Sequence, residues 1–382
     1  DLARSLDIPV VPGSSGVINA VADAEQLAAE IGYPVILKAS AGGGGRGMRA
    51  VQTKAELAEA LERCRSEAEA AFGSGEVFVE KLIERPRHIE VQVLADHTGS
   101  TLHLFERDCS VQLRNQKVIE IAPAAHLNES LRARLHDDAV RLVQSAGYSN
   151  AGTVEFLVLP EAERYYFIEC NPRLQVEHTV TEEVTGVDLV ALQFHLAASN
   201  TLDELGLADQ SAISIRGSAI QSRVVMTSPG EISAYRDPSG PGVRVDGAAY
   251  AGLRPDPNFD PLLAKLICTS PAGFEAAAER SRQALAAFQI AGIGTNLAQL
   301  QAIVSHEQFI KGDARTTLLA EHNELTGVDP APAQSEALTL LHEQAARLTA
   351  GAGANSLHQQ NQQATPRNDL PIADGDQAVA CL

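Results

Sequence analysis

Two acidic residues interrupt apolar runs: Glu155 in TVEFLVL and Glu169 in YYFIECN, the two halves of what reads as a β-hairpin. With the turn centred on Ala162 and a loop from Pro160 to Arg164, these glutamates fall directly opposite each other. Like charges at opposed positions of neighbouring strands repel. Followed by Asn171, the pair makes a hard oxygen-donor site suited to Mg²⁺, which takes one or two carboxylates and completes its shell with phosphates and water. One or both glutamates facing solvent on an ordinary sheet is the competing reading.

A second feature precedes them. Lys38 ends an apolar run and leads into ASAGGGGRGMR, in which residues 42–45 are all glycine and Arg46 follows. Such a run is too permissive for an element interior. It can bring several backbone N–H groups close to a phosphate while Lys38 and Arg46 neutralise its charge. The spacing is not that of a P-loop. Directly after the hairpin, NPRLQVEH alternates Arg173, Gln175 and Glu177. An extended segment would project all three to one side, where arginine holds a planar oxyanion and a carboxylate serves as base. CSVQLRNQK adds Gln112, Asn115 and Lys117 in a stretch too polar for core, and RHIEVQV puts His88 and Glu90 on one strand face. For each of these an exposed polar face is the bland alternative.

Positioning these groups takes three kinds of segment. Residues 8–85 alternate strand and helix signals, the strands being YPVILKAS and EVFVEKLI and the helices DAEQLAAEIG and TKAELAEALERCRSEAEAAF, which predicts a small α/β unit. Strands dominate from 86 to about 200, with helices at ESLRARLHDDAVRLVQSAG and GVDLVALQFHLAASN. Residues 213–320 read as a third unit of short strands and the helix GFEAAAERSRQALAAF. Beyond about 325 the Gln/Asn-rich, low-complexity sequence predicts a disordered linker. The expected divisions are 1–85, 86–205, 206–325 and 326–382.

Composition narrows the partners. Net charge is −19, from 30 basic against 49 acidic residues, whereas a nucleic-acid footprint needs clustered positive charge. No apolar run approaches the roughly 20 residues of a membrane span, and no signal peptide is evident. The five cysteines form neither a CxxC pair nor a disulfide framework. A cytoplasmic setting, with neither nucleic acid nor membrane as partner, is expected. The chain opens on Asp1 inside a helical-looking segment and reads as a piece of a longer polypeptide.

KASAGGGGRGM, VFVEKLIERPRHIEVQVLAD, FERDCSVQLRNQKVIEIAPA and FIECNPRLQVEHTVTEEVTGVDLV together resemble the biotin carboxylase component of biotin-dependent carboxylases. The similarity runs from about residue 5 to 321. It implies an α+β fold: an ATP-grasp with a small α/β lid and an antiparallel-sheet subdomain, then a biotin carboxylase C-terminal domain. The implied chemistry is phosphorylation of bicarbonate by ATP to carboxyphosphate, which releases CO₂ to N1 of biotin. Carried over by resemblance, Lys38 and His88 would contact ATP. The loop with Gly43, Gly44, Gly45, Arg46 and Gly47 would close over the phosphates beside Met48. Glu80, Lys81 and Ile83 would form the adenine hinge, partly through backbone groups, and Gln112, Asn115 and Leu157 complete the nucleotide set. Glu155, Glu169 and Asn171 would hold Mg²⁺ or Mn²⁺. Arg173, Gln175 and the Val176 amide would grip bicarbonate, with Glu177 as base, Lys117 on the transferring phosphoryl group and Arg223 on the biotin enolate.

The resemblance has departures. Leu113 precedes Arg114 where the family pairs two arginines, VVMTSPGEI is short where an acidic loop is usual, and the family's preceding α/β domain has no counterpart here. Neither Met48 nor Met226 adjoins a lysine, so biotin is expected on a carrier domain, predicted to follow DGDQAVACL. A carboxyltransferase domain or subunit and a second copy of the chain are the other expected partners. Another ATP-grasp ligase, such as a carbamoyl-phosphate synthetase half, and a nucleotide-binding fragment without turnover are the alternatives.

Overall fold

The computed structural model describes residues 1–42 and 47–327. Residues 43–46 of the glycine run and 328–382, expected as linker, lie outside the described residues. Period-two alternation builds the first sheet: Val35, Leu37 and Ala39 are the buried residues of β1 (Val35–Ala39). Antiparallel β2 (Met48–Val51) and β3 (Val77–Lys81) flank it in the order β2-β1-β3. The helix Lys54–Phe72 buries Leu57, Leu61, Cys64 and Ala68 at three- and four-residue spacing and packs with the helix Val21–Ile31 against these strands.

The main sheet follows. Its strands in chain order are β4 (Arg87–Ala95), β5 (Thr101–Leu113), β6 (Gln116–Ala122), β7 (Asn150–Leu159), β8 (Arg164–Asn171) and β9 (Ser218–Ser228). After a short β10 (Ala234–Arg236) come β11 (Val243–Gly247), β12 (Leu262–Ser270), β13 (Gln289–Ala291) and β14 (Gly294–Thr295). The order is β11-β12-β9-β6-β5-β4-β7-β8, with β14 beside β9 and β10 paired separately with β13. The sheet does not break where the third unit was expected to start, because β9 hydrogen-bonds to β6 in antiparallel register. Arg114 and Asn115, both with positive φ, close β5 onto β6, the conformation that a two-residue type I′ turn requires.

Alternation in β4 separates structure from chemistry. Ile89, Val91 and Val93 face a core completed by the helix Glu129–Ser145, which buries Leu131, Leu135, Leu142 and Val143. Each such side chain contributes roughly 1.5–3 kcal/mol relative to exposure. The Asn128 cap, which accepts from the Ser130 and Leu131 amides, adds about 1 kcal/mol. Packing therefore holds this helix in place. The other face of β4 carries His88, Glu90 and Gln92.

One helix escaped the sequence reading. His178–Thr185 is helical, although its Thr and Val content favours strand. It buries Thr179, Val180, Thr181 and Val184 against the sheet, and tertiary packing outweighs propensity.

Candidate active site

The opposed glutamates are present, by a route different from the expected one. Leu159 pairs with Arg164, so the turn centres between Glu161 and Ala162, and Phe156 pairs with Phe167. Continued regularly, that register would set Glu155 against Ile168. A register shift between Glu155 and Phe156 leaves Ile168 surplus and brings Glu155 opposite Glu169. The Asn171 amide nitrogen donates to both carboxylates, at 3.1 Å each.

Glu155 also belongs to a row across four strands: Arg107 of β5, Glu90 of β4, Glu155 of β7 and Glu169 of β8 stand side by side. Three adjacent carboxylates would repel one another strongly. Lys117, from β6, lies over two of them, its ammonium donating to Glu90 at 2.5 Å and Glu155 at 3.0 Å, and also to Glu177 at 2.6 Å. Burial works against the Lys117 charge, but these carboxylates prevail and hold its pKa far above the lysine range. Burial likewise pushes Glu155 up. The His88 hydrogen bond (2.8 Å) and the Lys117 charge outweigh it and keep the carboxyl well below the usual range.

Beyond Lys117 the network continues. Arg223 donates to Glu120 at 2.5 Å and to Glu177 at 3.0 Å. Burial raises the Glu120 pKa despite Arg223. Four buried carboxylates, Glu90, Glu120, Glu155 and Glu177, thus surround three cations, Lys117, Arg107 and Arg223. Glu169 adds further negative charge at the exposed rim, where a divalent cation would be attracted.

The 172–177 segment corrects an expectation. It is not an extended strand: His178 N–H bonds to the Gln175 carbonyl and the chain turns there. Gln175 and Glu177 are buried at the cluster, and the Gln175 amide nitrogen donates to Glu155 at 2.9 Å. Arg173 is exposed and reaches the Asn171 side-chain oxygen at 3.4 Å. The Val176 carbonyl accepts from Lys265 at 3.5 Å.

Toward β1 and β3 lies a cleft of about 510 Å³ lined by Lys38, Glu80, Leu157, Phe167, Ile168 and Cys170, among others. Lys38 and Glu80 pair at 2.6 Å. His88 sits between Glu155 and the Gln112 amide, 2.7 Å away. The structure does not bring every expected residue here. The Lys81 ammonium turns back to the Gly32 and Tyr33 carbonyls, its amide N–H goes to Pro12, and neither it nor Ile83 lines the cleft. Asn115 is exposed at its turn, and Met48 is 40 % exposed at the start of β2. Gly47 has φ 73°, and a Cβ there would lie 2.7 Å from the Ala39 side chain, so only glycine fits. Gly43, Gly44, Gly45 and Arg46 lie outside the described residues.

Arg107, Gln92 and Glu120 were missed, and Glu90 was left open between surface and site. Glu90 and Gln92 had a signal, charged and amide side chains at alternate positions of a strand otherwise apolar enough to be central. Glu120 stood alone among apolar neighbours, whereas Arg107 lies inside the consecutive charged run of residues 106–108.

The donor set suits a hard divalent cation. Glu155 and Glu169 face each other, and Asn171 would offer its oxygen after its amide turns over.

Comparison with known proteins agrees with this geometry. Residues 1–205 match the family described as "Carbamoyl-phosphate synthase L chain, ATP binding domain", and residues 220–321 match "Biotin carboxylase C-terminal domain". The chain is 49% identical over 350 residues to mitochondrial pyruvate carboxylase of Homo sapiens, covering 89% of this chain and 29% of that protein. It is 48% identical over 333 residues to pyruvate carboxylase of Aspergillus niger, covering 85% and 28%. The chain thus spans less than a third of these curated relatives. Among solved structures, it superposes with a TM-score of 0.81 at 42% identity on the biotin carboxylase domain dimer of Hydrogenobacter thermophilus 2-oxoglutarate carboxylase. That structure holds MgADP, ADP and bicarbonate, and the match covers 86% of this chain and 73% of that one. Biotin carboxylase of Campylobacter jejuni gives a TM-score of 0.80 at 40% identity, covering 84% and 72%. With the ATP-grasp sheet, the second domain match and the paired carboxylates all present, the chain belongs to the biotin carboxylase family.

Proposed function

We propose that this chain performs the biotin carboxylase half-reaction of a biotin-dependent acyl-CoA or pyruvate carboxylase: ATP- and bicarbonate-dependent carboxylation of biotin on a carrier domain. The observation that carries it is Lys117 bonded at once to Glu90, Glu155 and Glu177. This sets one cation between Glu155 of the hairpin and the expected base.

In this reading residues 1–85 form the lid, 86–205 the catalytic sheet and 206–325 the C-terminal domain. ATP lies in the apolar cleft behind Lys38. Glu155, Glu169 and Asn171 hold Mg²⁺ or Mn²⁺, which when bound neutralises phosphate charge. Arg173, Gln175 and the Val176 amide orient bicarbonate. Glu177 takes its proton as a bicarbonate oxygen attacks the γ-phosphorus and ADP leaves, giving carboxyphosphate. Lys117 stabilises the charge that develops on the transferring group. Carboxyphosphate breaks down to CO₂ and phosphate; that phosphate would take the N1 proton of a carrier-borne biotin as N1 takes up the CO₂, and Arg223 would stabilise the negative charge left on the biotin ring oxygen. A carrier domain, a carboxyltransferase and a second copy of the chain are the proposed partners. Among the described residues no helix is long and apolar enough to cross a membrane.

The test is bicarbonate-dependent ATP hydrolysis by the native polypeptide with and without free biotin. Stimulation by biotin is expected, and its absence overturns the reading. Ammonia-dependent carbamoyl phosphate formation would point instead to the alternative ligase.

A further inference from the structure

Arg107 is fully buried, and all five of its N–H donors have acceptors. Its Nε donates to Glu90 at 2.5 Å, one terminal nitrogen to Gln92 (2.8 Å) and Thr181 (3.0 Å), the other to Thr153 (3.3 Å) and Gln175 (3.1 Å). A guanidinium carries five donors and no more, so the group is saturated by protein. It has no N–H left for a ligand and cannot contact substrate. Its influence must pass through the groups it holds.

One of those bonds has a directional consequence. Gln175 accepts from Arg107 through its side-chain oxygen, so its amide nitrogen is the end turned toward Glu155. An amide free to turn over presents either a donor or an acceptor. An acceptor would repel a hydrogencarbonate oxygen, whereas a donor binds it. Arg107 at the oxygen end and Glu155 at the nitrogen end together decide between the two. Its Nε also occupies one oxygen of Glu90, leaving the other to Lys117. The same fork therefore sets the donor in the anion cradle and one of the three carboxylates around the phosphoryl-facing lysine.

We propose that Arg107 is a positioning residue for carboxylation, holding the Gln175 amide with its N–H toward the bicarbonate cradle. This rests on the function proposed above. Lysine in its place keeps the charge but supplies its donors from a single nitrogen, which cannot span Glu90 and Gln175 as the planar fork does.

The experiment is steady-state ATP hydrolysis by the native polypeptide with bicarbonate and ATP varied separately. Arg107→Lys is expected to raise the bicarbonate KM at least tenfold while leaving the ATP KM within twofold. In a Gln175→Ala background the same substitution should add less than twofold, since the amide it acts through is gone. If Arg107→Lys does not accumulate in folded form, Thr181→Val removes one anchor of the guanidinium with little change of shape. It should raise the bicarbonate KM about two- to fivefold with the ATP KM again unmoved. A soluble variant that melts earlier yet keeps the wild-type bicarbonate KM would show a merely structural role and overturn the proposal. So would effects of Arg107→Lys and Gln175→Ala that multiply independently. Wild-type protein without bicarbonate-dependent hydrolysis takes down the functional reading as well, whereas an active wild type with unaffected variants sinks only this inference.

Discussion

Phe167 and Glu169 stand two residues apart on one strand yet serve opposite faces of the sheet. Phe167 is opposite Phe156, with ring centroids 6.2 Å apart, and packs on the core under the helix Glu129–Ser145. Glu169 is opposite Glu155 on the chemical face. A regular strand would put both on the same side. The surplus Ile168 absorbs the conflict, so that Phe167 faces the core and Glu169 faces Glu155.

Deleting Ile168 should therefore leave the glutamates paired, because Phe167 and Glu169 become neighbours and alternate faces regularly. Mn²⁺ affinity is expected to stay within about threefold of wild type. ADP affinity should fall about tenfold, on the order of the 1.4 kcal/mol lost with an apolar cleft residue. Calorimetric titration of the two ligands checks both. Loss of Mn²⁺ binding would show that the bulge does more than assign faces.

The two carboxylates of the hairpin should behave differently when neutralised. Glu169 is exposed and Glu155 buried. Glu169→Gln is expected to weaken Mn²⁺ binding more than tenfold with stability unchanged within about 0.5 kcal/mol. Glu155 accepts from His88, Lys117, Asn171 and Gln175, so Glu155→Gln puts an amide among donors and should lower both metal affinity and melting temperature. Metal titration and thermal melts of the pair check this.

Lys117 has three carboxylate partners and is largely buried. Lys117→Met leaves Glu90, Glu155 and Glu177 without their shared cation. The expected cost is about 3–5 kcal/mol in denaturant unfolding. Bicarbonate-dependent ATP hydrolysis should fall on the order of 10²- to 10³-fold, the usual consequence of removing a charge-stabilising donor. Retained activity would remove Lys117 from the phosphoryl step.

His103 makes part of the stability pH-dependent. It stacks on His136 at 4.1 Å, near Glu106 and Arg132, and its Nδ1 accepts from the Phe105 amide. Burial first, and His136 second, push its pKa down from 6.5 to about 4. The unfolded chain therefore takes up this proton before the folded one does. Its stabilising contribution is complete above pH 6.5 and is lost as the pH falls from there toward 4. His103→Gln should flatten the melting temperature across that window relative to wild type. An unchanged slope in thermal melts would assign the loss to other groups.

Much of the chemistry was legible in local patterning. Alternation in YPVILKAS and in the hairpin strands foretold the sheets, because a strand with one buried face needs period two. Opposed glutamates and the glycine-bracketing lysine declared themselves as polar residues in or beside apolar runs, whereas Lys117, in a stretch too polar for core, took its weight only from its buried position among carboxylates. The pairing of β6 with β9, which fuses segments expected to be separate, joins Glu120 to Gln221 across a sequence gap that no local pattern reports. Likewise, a buried arginine such as Arg107 takes its meaning from the five acceptors around it, contributed by three other elements and by Gln175. Residue types and spacing pointed to a nucleotide-and-metal site. Only the tertiary structure decided which charges compensate which, because the energy of a buried charge depends on its spatial neighbours. It also decided which end of the Gln175 amide faces Glu155.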